Sequence, residues 1–236
     1  MFLSLIRKIL NRETADGIKD SLPLAMGYVP VAITFGILSK AYGFPAIVPI
    51  LMSIVIYAGS SQFVGIQMLA LGTTPLQIVL TIFIVNIRHF LMGTTITQRL
   101  KPEIGKGQRA KMAFLLTDEA FVYLSSKSEM PNMHYVMGFE ASLYSAWIGG
   151  TLIGTIVPSN LSPLVSASLG ITIYALFISL LIPSMKRSKE ITAVCVTAGS
   201  GSFLLDSLGM SMGWRIVLVT IVVSFLGALL FREVRT

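Results

Sequence analysis

Four ionisable residues stand where the surrounding sequence is apolar. Arg88 and His89 lie between Thr81-Ile82-Phe83-Ile84-Val85 and Phe90-Leu91-Met92, and Asp118 and Glu119 lie between Phe114-Leu115-Leu116 and Ala120-Phe121-Val122. In hydrocarbon each such group costs at least about 2.5–3.5 kcal/mol, so it needs a partner, a water-filled cavity or a bound solute. The guanidinium of Arg88 is always charged. It can grip a carboxylate through its planar fork, or lock two helices as an ion pair with Asp118 or Glu119. His89 titrates near neutral pH and can relay protons; equally, it can be a neutral histidine bonded between helices. Asp118 and Glu119 are the other candidates for proton coupling. Neighbours on a helix point about 100° apart, so one of the two faces a given path, and Asp118, nearer the preceding apolar run, is the expected one. Glu140 and Asp206 are further acids in apolar runs, but each is near an end of its segment, where it can sit at a membrane interface.

A second signal is Tyr57-Ala58-Gly59-Ser60-Ser61-Gln62-Phe63. A glycine and two serines inside an apolar run free backbone N–H and C=O groups, which lipid tolerates only where they are buried in protein or line a cavity. Broken helices whose N-termini meet at mid-membrane hold the carboxylates of small solutes in transporters. The plainer reading is a packing contact of small residues. Taken with Arg88, the candidate substrate-binding set is Tyr57, Gly59, Ser60, Ser61, Gln62, Asn86 and Arg88, and the candidate proton-coupling set is His89, Asp118 and Glu119. No catalytic residue and no metal ligand is expected.

These residues need a scaffold, and composition says which kind. Hydrophobic residues make up 54% of the 236 and charged residues 12%, about half the charged share of a soluble domain. Uncharged apolar stretches near 20 residues long are the mark of transmembrane helices. A soluble enzyme is excluded. So is a disulfide scaffold, since Cys195 is the one cysteine, and the continuous runs do not alternate as the strands of a membrane β-barrel do. The net charge of +7 flanks the apolar segments, which is the pattern of topology determinants and anionic lipid contact and argues against nucleic acid as a partner.

The expected architecture is all-α, a polytopic integral membrane protein with six to seven spanning helices and broken or re-entrant half-helices. Residues 1–19 are read as an amphipathic surface segment, with Phe2, Leu5, Ile6, Ile9 and Leu10 on one face, and 20–236 as a single transmembrane transport domain. Asp20 and Ser21 can cap the first span, 21–39, which Gly27, Pro30 and Gly36 should kink or break. Apolar segments follow at 44–71, 75–98, 112–126, 133–157, 163–185, 191–208 and 213–231. The loop 99–111 holds Arg99, Lys101, Lys106, Arg109 and Lys111 against Glu103 alone. The positive-inside rule puts it on the cytoplasmic side with both termini. That requires 44–71 to be a re-entrant pair meeting near Gly59, with 112–126 as a second re-entrant element, which leaves six crossings; seven crossings with one misplaced basic loop is the alternative. Gly150-Thr-Leu-Ile-Gly154 and Gly209-Met-Ser-Met-Gly213 have the spacing of close helix contacts, and Trp147 reads as an interface anchor in preference to part of an apolar pocket wall.

Missing motifs narrow the chemistry. There is no G-x-x-x-x-G-K-[ST] and no H-E-x-x-H, hence neither a P-loop nor a zincin site.

The series Lys19-Asp20-Ser21-Leu22-Pro23, Tyr28-Val29-Pro30-Val31-Ala32, Tyr57-Ala58-Gly59-Ser60-Ser61-Gln62-Phe63, Asn86-Ile87-Arg88-His89 and Leu116-Thr117-Asp118-Glu119 resembles the AzlC/YgaZ-type branched-chain amino-acid exporters, large subunit. The likeness runs over about residues 19–125 and is weaker beyond. It implies a bacterial inner-membrane protein that exports leucine, isoleucine, valine and related amino acids. It also implies secondary transport driven by protons and a small, separately encoded membrane partner of the AzlD/YgaH type. Some members carry Asp where this chain has Asn86, so the proton would then ride on another group here. No cofactor is implied. Two other functions compete: a channel-like facilitator of a small polar solute, which would want polar rings along a continuous path, and a non-transporting assembly subunit, which would not need Arg88, His89, Asp118 and Glu119 at depth.

Overall fold

A computed structural model describes residues 11–157, 178, 181–182, 185–186 and 188–231. Among them are nine helices and no strand: α1 Arg12–Ala41, α2 Ile47–Val55, α3 Gly59–Ala70, α4 Pro75–Gln98, α5 Lys106–Leu115, α6 Asp118–Ser125, α7 Met133–Ile156, α8 Lys189–Ser207 and α9 Met212–Leu230.

Helix α1 starts earlier than its sequence signals imply. The Asn11 side chain accepts from the Glu13 N–H at 3.3 Å, and Glu13 and Lys40 stand at the ends that suit the helix dipole. Asp20 and Ser21 are therefore interior and not caps: Ser21 Oγ donates to the Ile18 carbonyl at 2.7 Å, and Asp20 accepts from the Tyr135 hydroxyl at 2.6 Å. Residues 12–19 of the expected surface segment belong to this helix, while Phe2, Leu5, Ile6, Ile9 and Leu10 lie outside the described residues. The expected break at Gly27, Pro30 and Gly36 is absent, since all 30 residues are helical.

Gly36 serves packing instead. An added Cβ there would run into the Thr151 carbonyl, and one at Gly154 into the Ile33 carbonyl, with the Gly36 Cα 3.0 Å away. Gly17 and Gly138 make similarly close approaches at the other end, and Gly150 does so against Ala32. The two long helices α1 and α7 thus meet backbone to backbone through glycines, and Lys40 closes the pair by donating to the Val157 carbonyl at 3.1 Å. Gly154→Ala should lower stability by about 1–3 kcal/mol, because backbone cannot yield as a side chain can. Gly149→Ala, whose Cβ meets nothing within 4 Å, should be neutral or stabilising by up to about 1 kcal/mol. Thermal unfolding of the two purified variants in detergent checks the pair.

Three helices among the described residues, α1, α4 and α9, are long and apolar enough to cross a membrane. The expectation of six to seven spans is overturned. Segment 44–71 divides into α2 with 9 residues and α3 with 12, about 13 and 18 Å long at 1.5 Å per residue, against a hydrocarbon core of about 30 Å. Segment 112–126 divides likewise at Leu116-Thr117. Helix α7 has the length but dilutes its apolar residues with glycine, serine, threonine and Glu140. Helix α8 carries Lys189, Glu190 and Asp206 among glycines and serines. Segment 163–185 lies almost wholly outside the described residues.

The chain forms two compact units, Met1–Gln62 with Asn86–Ser166, and Phe63–Val85 with Ala167–Thr236. In the second, α8 and α9 form a hairpin across Gly209, whose φ of 78° marks the turn, and Asp206 pairs with Arg215 across it. Gly209 is therefore a turn residue and not the helix contact its spacing implied. Gly213 is a contact, lying against Met68 and Thr81. The first unit holds every candidate site residue. Two arginines of the basic loop staple it: Arg99 donates to the Lys127 carbonyl at 2.6 Å and the Ser125 carbonyl at 3.0 Å, and Arg109 to the Thr97 carbonyl at 2.7 Å.

Candidate functional site

Between α2 and α3 the helix breaks at residues 56–58. Tyr57 has φ of 43°, a left-handed conformation that costs a non-glycine residue about 1–3 kcal/mol and persists where packing enforces it. The enforcing contacts are present. Tyr57 is buried, with its ring edge-on to Tyr144 at 4.8 Å, and Tyr144 donates its hydroxyl to the Ile54 carbonyl at 2.7 Å. The first backbone bond of α3 runs from Gln62 to the Ala58 carbonyl. The N–H groups of Gly59, Ser60 and Ser61 therefore precede the helical ladder and point off a positive helix end.

Helix α4 supplies what faces that end. Arg88 Nη2 donates to Ser60 Oγ at 2.7 Å and pairs with Asp118 Oδ2 at 2.8 Å, while Ser61 Oγ donates to Asn86 Oδ1 at 2.6 Å. Asn86 and Arg88, two residues apart, thus each hold one of the serines that open α3. Asp118 is positioned by Thr117, whose side chain caps α6 by accepting from the Ala120 N–H at 3.2 Å. The cap places Asp118 and Glu119 in the first turn of α6, and Glu119 accepts from the Tyr28 hydroxyl at 2.6 Å. The same hydroxyl lies 2.6 Å from Thr117 Oγ1. Arg88 is therefore an ion pair as found, and its Nε is buried without a hydrogen-bond partner.

Gly59 and Gln62 are engaged with Trp147. A Cβ on Gly59 would come within 2.9 Å of the indole. Gln62 accepts from Trp147 Nε1 at 2.9 Å and donates to Ser53 Oγ at 2.9 Å, and Ser53 meets Thr151 at 2.8 Å. The interface-anchor reading of Trp147 is corrected: the ring is 5% exposed and sits edge-on to Tyr28 at 5.8 Å. Its apolar neighbours in sequence gave no sign of a buried polar partner. Ser53 was missed, and Tyr28 and Thr117, though within motifs that carry the family resemblance, were not among the candidate site residues.

His89 makes no hydrogen bond with this cluster, although Asp118, Arg88 and Glu119 lie within electrostatic reach. It lines a cavity of about 380 Å³ with Phe90, Thr94, Lys106 and Ala110, between α4 and α5, and its Nδ1 has no partner. Glu140 was expected near an interface and is fully buried instead, both carboxyl oxygens unpartnered. Asp206, paired with Arg215, lies at an exposed helix end. Among the described residues no cluster of three His, Cys, Asp or Glu could hold a metal ion.

What the cluster can do is receive an anion. A helix end with free N–H groups stands beside the Arg88 guanidinium, which meets Ser60 and the Asp118 carboxylate, and a second carboxylate could replace that of Asp118.

Residues 23–161, which include every member of this cluster, match the family described as AzlC protein. The chain belongs to the AzlC family. YgaZ, an inner membrane protein of Escherichia coli K12, is 37% identical over 190 residues, covering 78% of this chain and 76% of that one. A membrane protein of Archaeoglobus fulgidus is 37% identical over 197 residues, 81% and 85% of the two chains. The branched-chain amino acid transport protein AzlC of Bacillus subtilis 168 is 29% identical over 179 residues, 74% and 69%. No solved structure matches. AzlC proteins form a membrane transport family and not an enzyme family.

Proposed function

We propose that this AzlC-family chain carries branched-chain amino acids, leucine, isoleucine and valine, outward across the bacterial cytoplasmic membrane. Transport is coupled to protons and carried out with a small AzlD/YgaH-type membrane subunit. The observation that carries the reading is the guanidinium of Arg88 held against the N-terminal serines of a broken helix. The substrate carboxylate takes the place of Asp118 on Arg88 and meets the N–H groups of Gly59, Ser60 and Ser61, with Asn86 and Tyr57 at its sides and Gln62 bracing the helix from behind. Asp118, once displaced, is free to take a proton, and Glu119 and His89 complete the coupling set. The name of the Bacillus relative supports the substrate class. The deciding experiment is export of labelled leucine from loaded cells, with and without a protonophore and with and without the partner subunit. Export that ignores both would leave neither the coupling nor the partner standing.

The basic loop 99–111 faces the cytoplasm in this reading, as does the N-terminus two crossings earlier, across α1 and α4, because cationic loops are retained there. Cysteines at Gly105 and Gly107, where an added side chain meets nothing within 4 Å, in a Cys195→Ser background, should resist a membrane-impermeant thiol reagent added to intact cells. They should react once the cells are opened. Labelling of both positions in intact cells would reverse the orientation.

A further inference from the structure

Glu140, on α7, is fully buried, and among the described residues neither carboxyl oxygen has a hydrogen-bond partner. It is the one carboxyl among the described residues with both oxygens in that state. Asp118 is held by Arg88, Glu119 by Tyr28, and Asp20 by Tyr135 with Lys127 at 3.9 Å.

The surroundings can be surveyed element by element. The break between α2 and α3 contributes Tyr57, which lies within electrostatic reach of Glu140 and Glu119 and whose buried hydroxyl is also unpartnered. Helix α7 itself contributes Tyr144, one turn on and against the Tyr57 ring. Helix α1 contributes Tyr28, beside Tyr57 and occupied by Glu119. Helix α2 has no titratable side chain. On α5, Arg109 is turned to the carbonyls of Thr97, Lys101 and Ile104. No lysine, arginine or histidine among the described residues pairs with Glu140. Among the described residues a carboxylate anion so placed has neither counter-ion nor donor to stabilise it, and the cost of burying the charge goes uncompensated. The group that fits this place is the neutral acid.

We propose that Glu140 is a proton-carrying site of the transport cycle, emptied and refilled as the Tyr57 break opens to one side and then the other. This rests on the transport reading above and adds to it a residue outside the His89, Asp118 and Glu119 set. The step is a plain ionisation. The O–H bond of the carboxyl breaks, its electron pair stays on the carboxylate oxygen, and the proton passes to water admitted beside Tyr57. The reverse step takes a proton from water on the opposite side. The strained backbone of Tyr57 is the place where the lining of the site can move with small rearrangement, since a left-handed tyrosine gains conformational energy on relaxing.

Two measurements test this on the full chain with its partner subunit. In infrared difference spectra between acidic and alkaline buffer, wild type should show the carbonyl band of a protonated carboxylic acid, and Glu140→Gln should lose it. Retention of the whole band in the variant overturns the proposal. In vesicles, Glu140→Gln should exchange internal for external leucine at the wild-type rate while losing accumulation driven by a pH gradient. Normal gradient-driven accumulation overturns it. Should the Gln variant fail to accumulate in the membrane, dicyclohexylcarbodiimide on the wild type takes its place. This reagent adds to protonated carboxyls in apolar surroundings, so an adduct on Glu140 at neutral pH is expected and its absence overturns the proposal. If wild type moves no leucine at all, the substrate reading fails by itself; the infrared band and the adduct still decide whether Glu140 holds a proton.

Discussion

Arg88→Lys should reach the membrane in wild-type amount and export no leucine. Lysine keeps the positive charge, so Asp118 stays compensated and the helices stay locked. Arg88 holds Ser60 and Asp118 through one nitrogen, Nη2, at 2.7 and 2.8 Å; what lysine lacks is the planar fork, so it has no second terminal nitrogen with which to clasp a substrate carboxylate. Arg88→Ala is a different change. It leaves the Asp118 carboxylate without its partner, at a cost between that of an exposed pair, about 1 kcal/mol, and that of a fully buried one, about 3–5 kcal/mol. Its abundance should fall, and Asp118→Asn in the same chain should restore abundance without restoring export. Immunoblots of membranes together with labelled-leucine export read both effects. Wild-type export by Arg88→Ala would remove the substrate role and the strut role alike.

Trp147→Ala should be the most destabilising single change in the first unit, by about 3–5 kcal/mol, the range for emptying a large aromatic site from a packed interior. Three contacts go at once: the indole against Gly59, the edge of Tyr28, and the N–H bond to Gln62. Trp147→Phe separates the contributions. It keeps most of the ring volume but leaves the Gln62 carbonyl unpaired in a buried site, at about 1–3 kcal/mol. Thermal unfolding in detergent should order the proteins wild type, Phe, Ala. Because Gln62 and Gly59 belong to the turn that presents Ser60 and Ser61, leucine affinity should weaken in both variants even below their unfolding temperatures. An unchanged unfolding temperature for the alanine variant would show that the indole does not support the break.

Much of the site was legible in one dimension. Arg88, Asp118 and Glu119 stood out because charge inside an apolar run needs a reason, and Gly59-Ser60-Ser61 because small polar residues interrupt such a run; the structure joins Arg88 to Asp118 and Ser60, and Ser61 to Asn86. The interruption itself was visible, and the structure moves it to residues 56–58, where Tyr57 and not the glycine takes the left-handed conformation. Local signals misled where packing overrode them. Pro30 and Gly36 are breakers by propensity, yet α1 runs through them because its glycines let α7 approach its backbone. Hydropathy overcounted spans, since glycine, serine, threonine and charged residues dilute α7 and α8, two segments that read as crossings.

The sequence by itself determined the class of protein, the helical make-up and the list of residues too polar to sit in lipid without work to do, because those follow from the transfer cost of each side chain. Only the tertiary structure decided which of them are partnered. Arg88 takes Asp118, Glu119 takes Tyr28, Trp147 takes Gln62, His89 lines a cavity between α4 and α5, and Glu140 has no hydrogen-bond partner among the described residues. Pairing depends on which faces of α1, α4, α6 and α7 are turned toward one another, and that is set by glycine contacts and caps between residues as far apart as Ile33 and Gly154. A one-dimensional reading prices each charge alone; burial and partnership are properties of the packed neighbours.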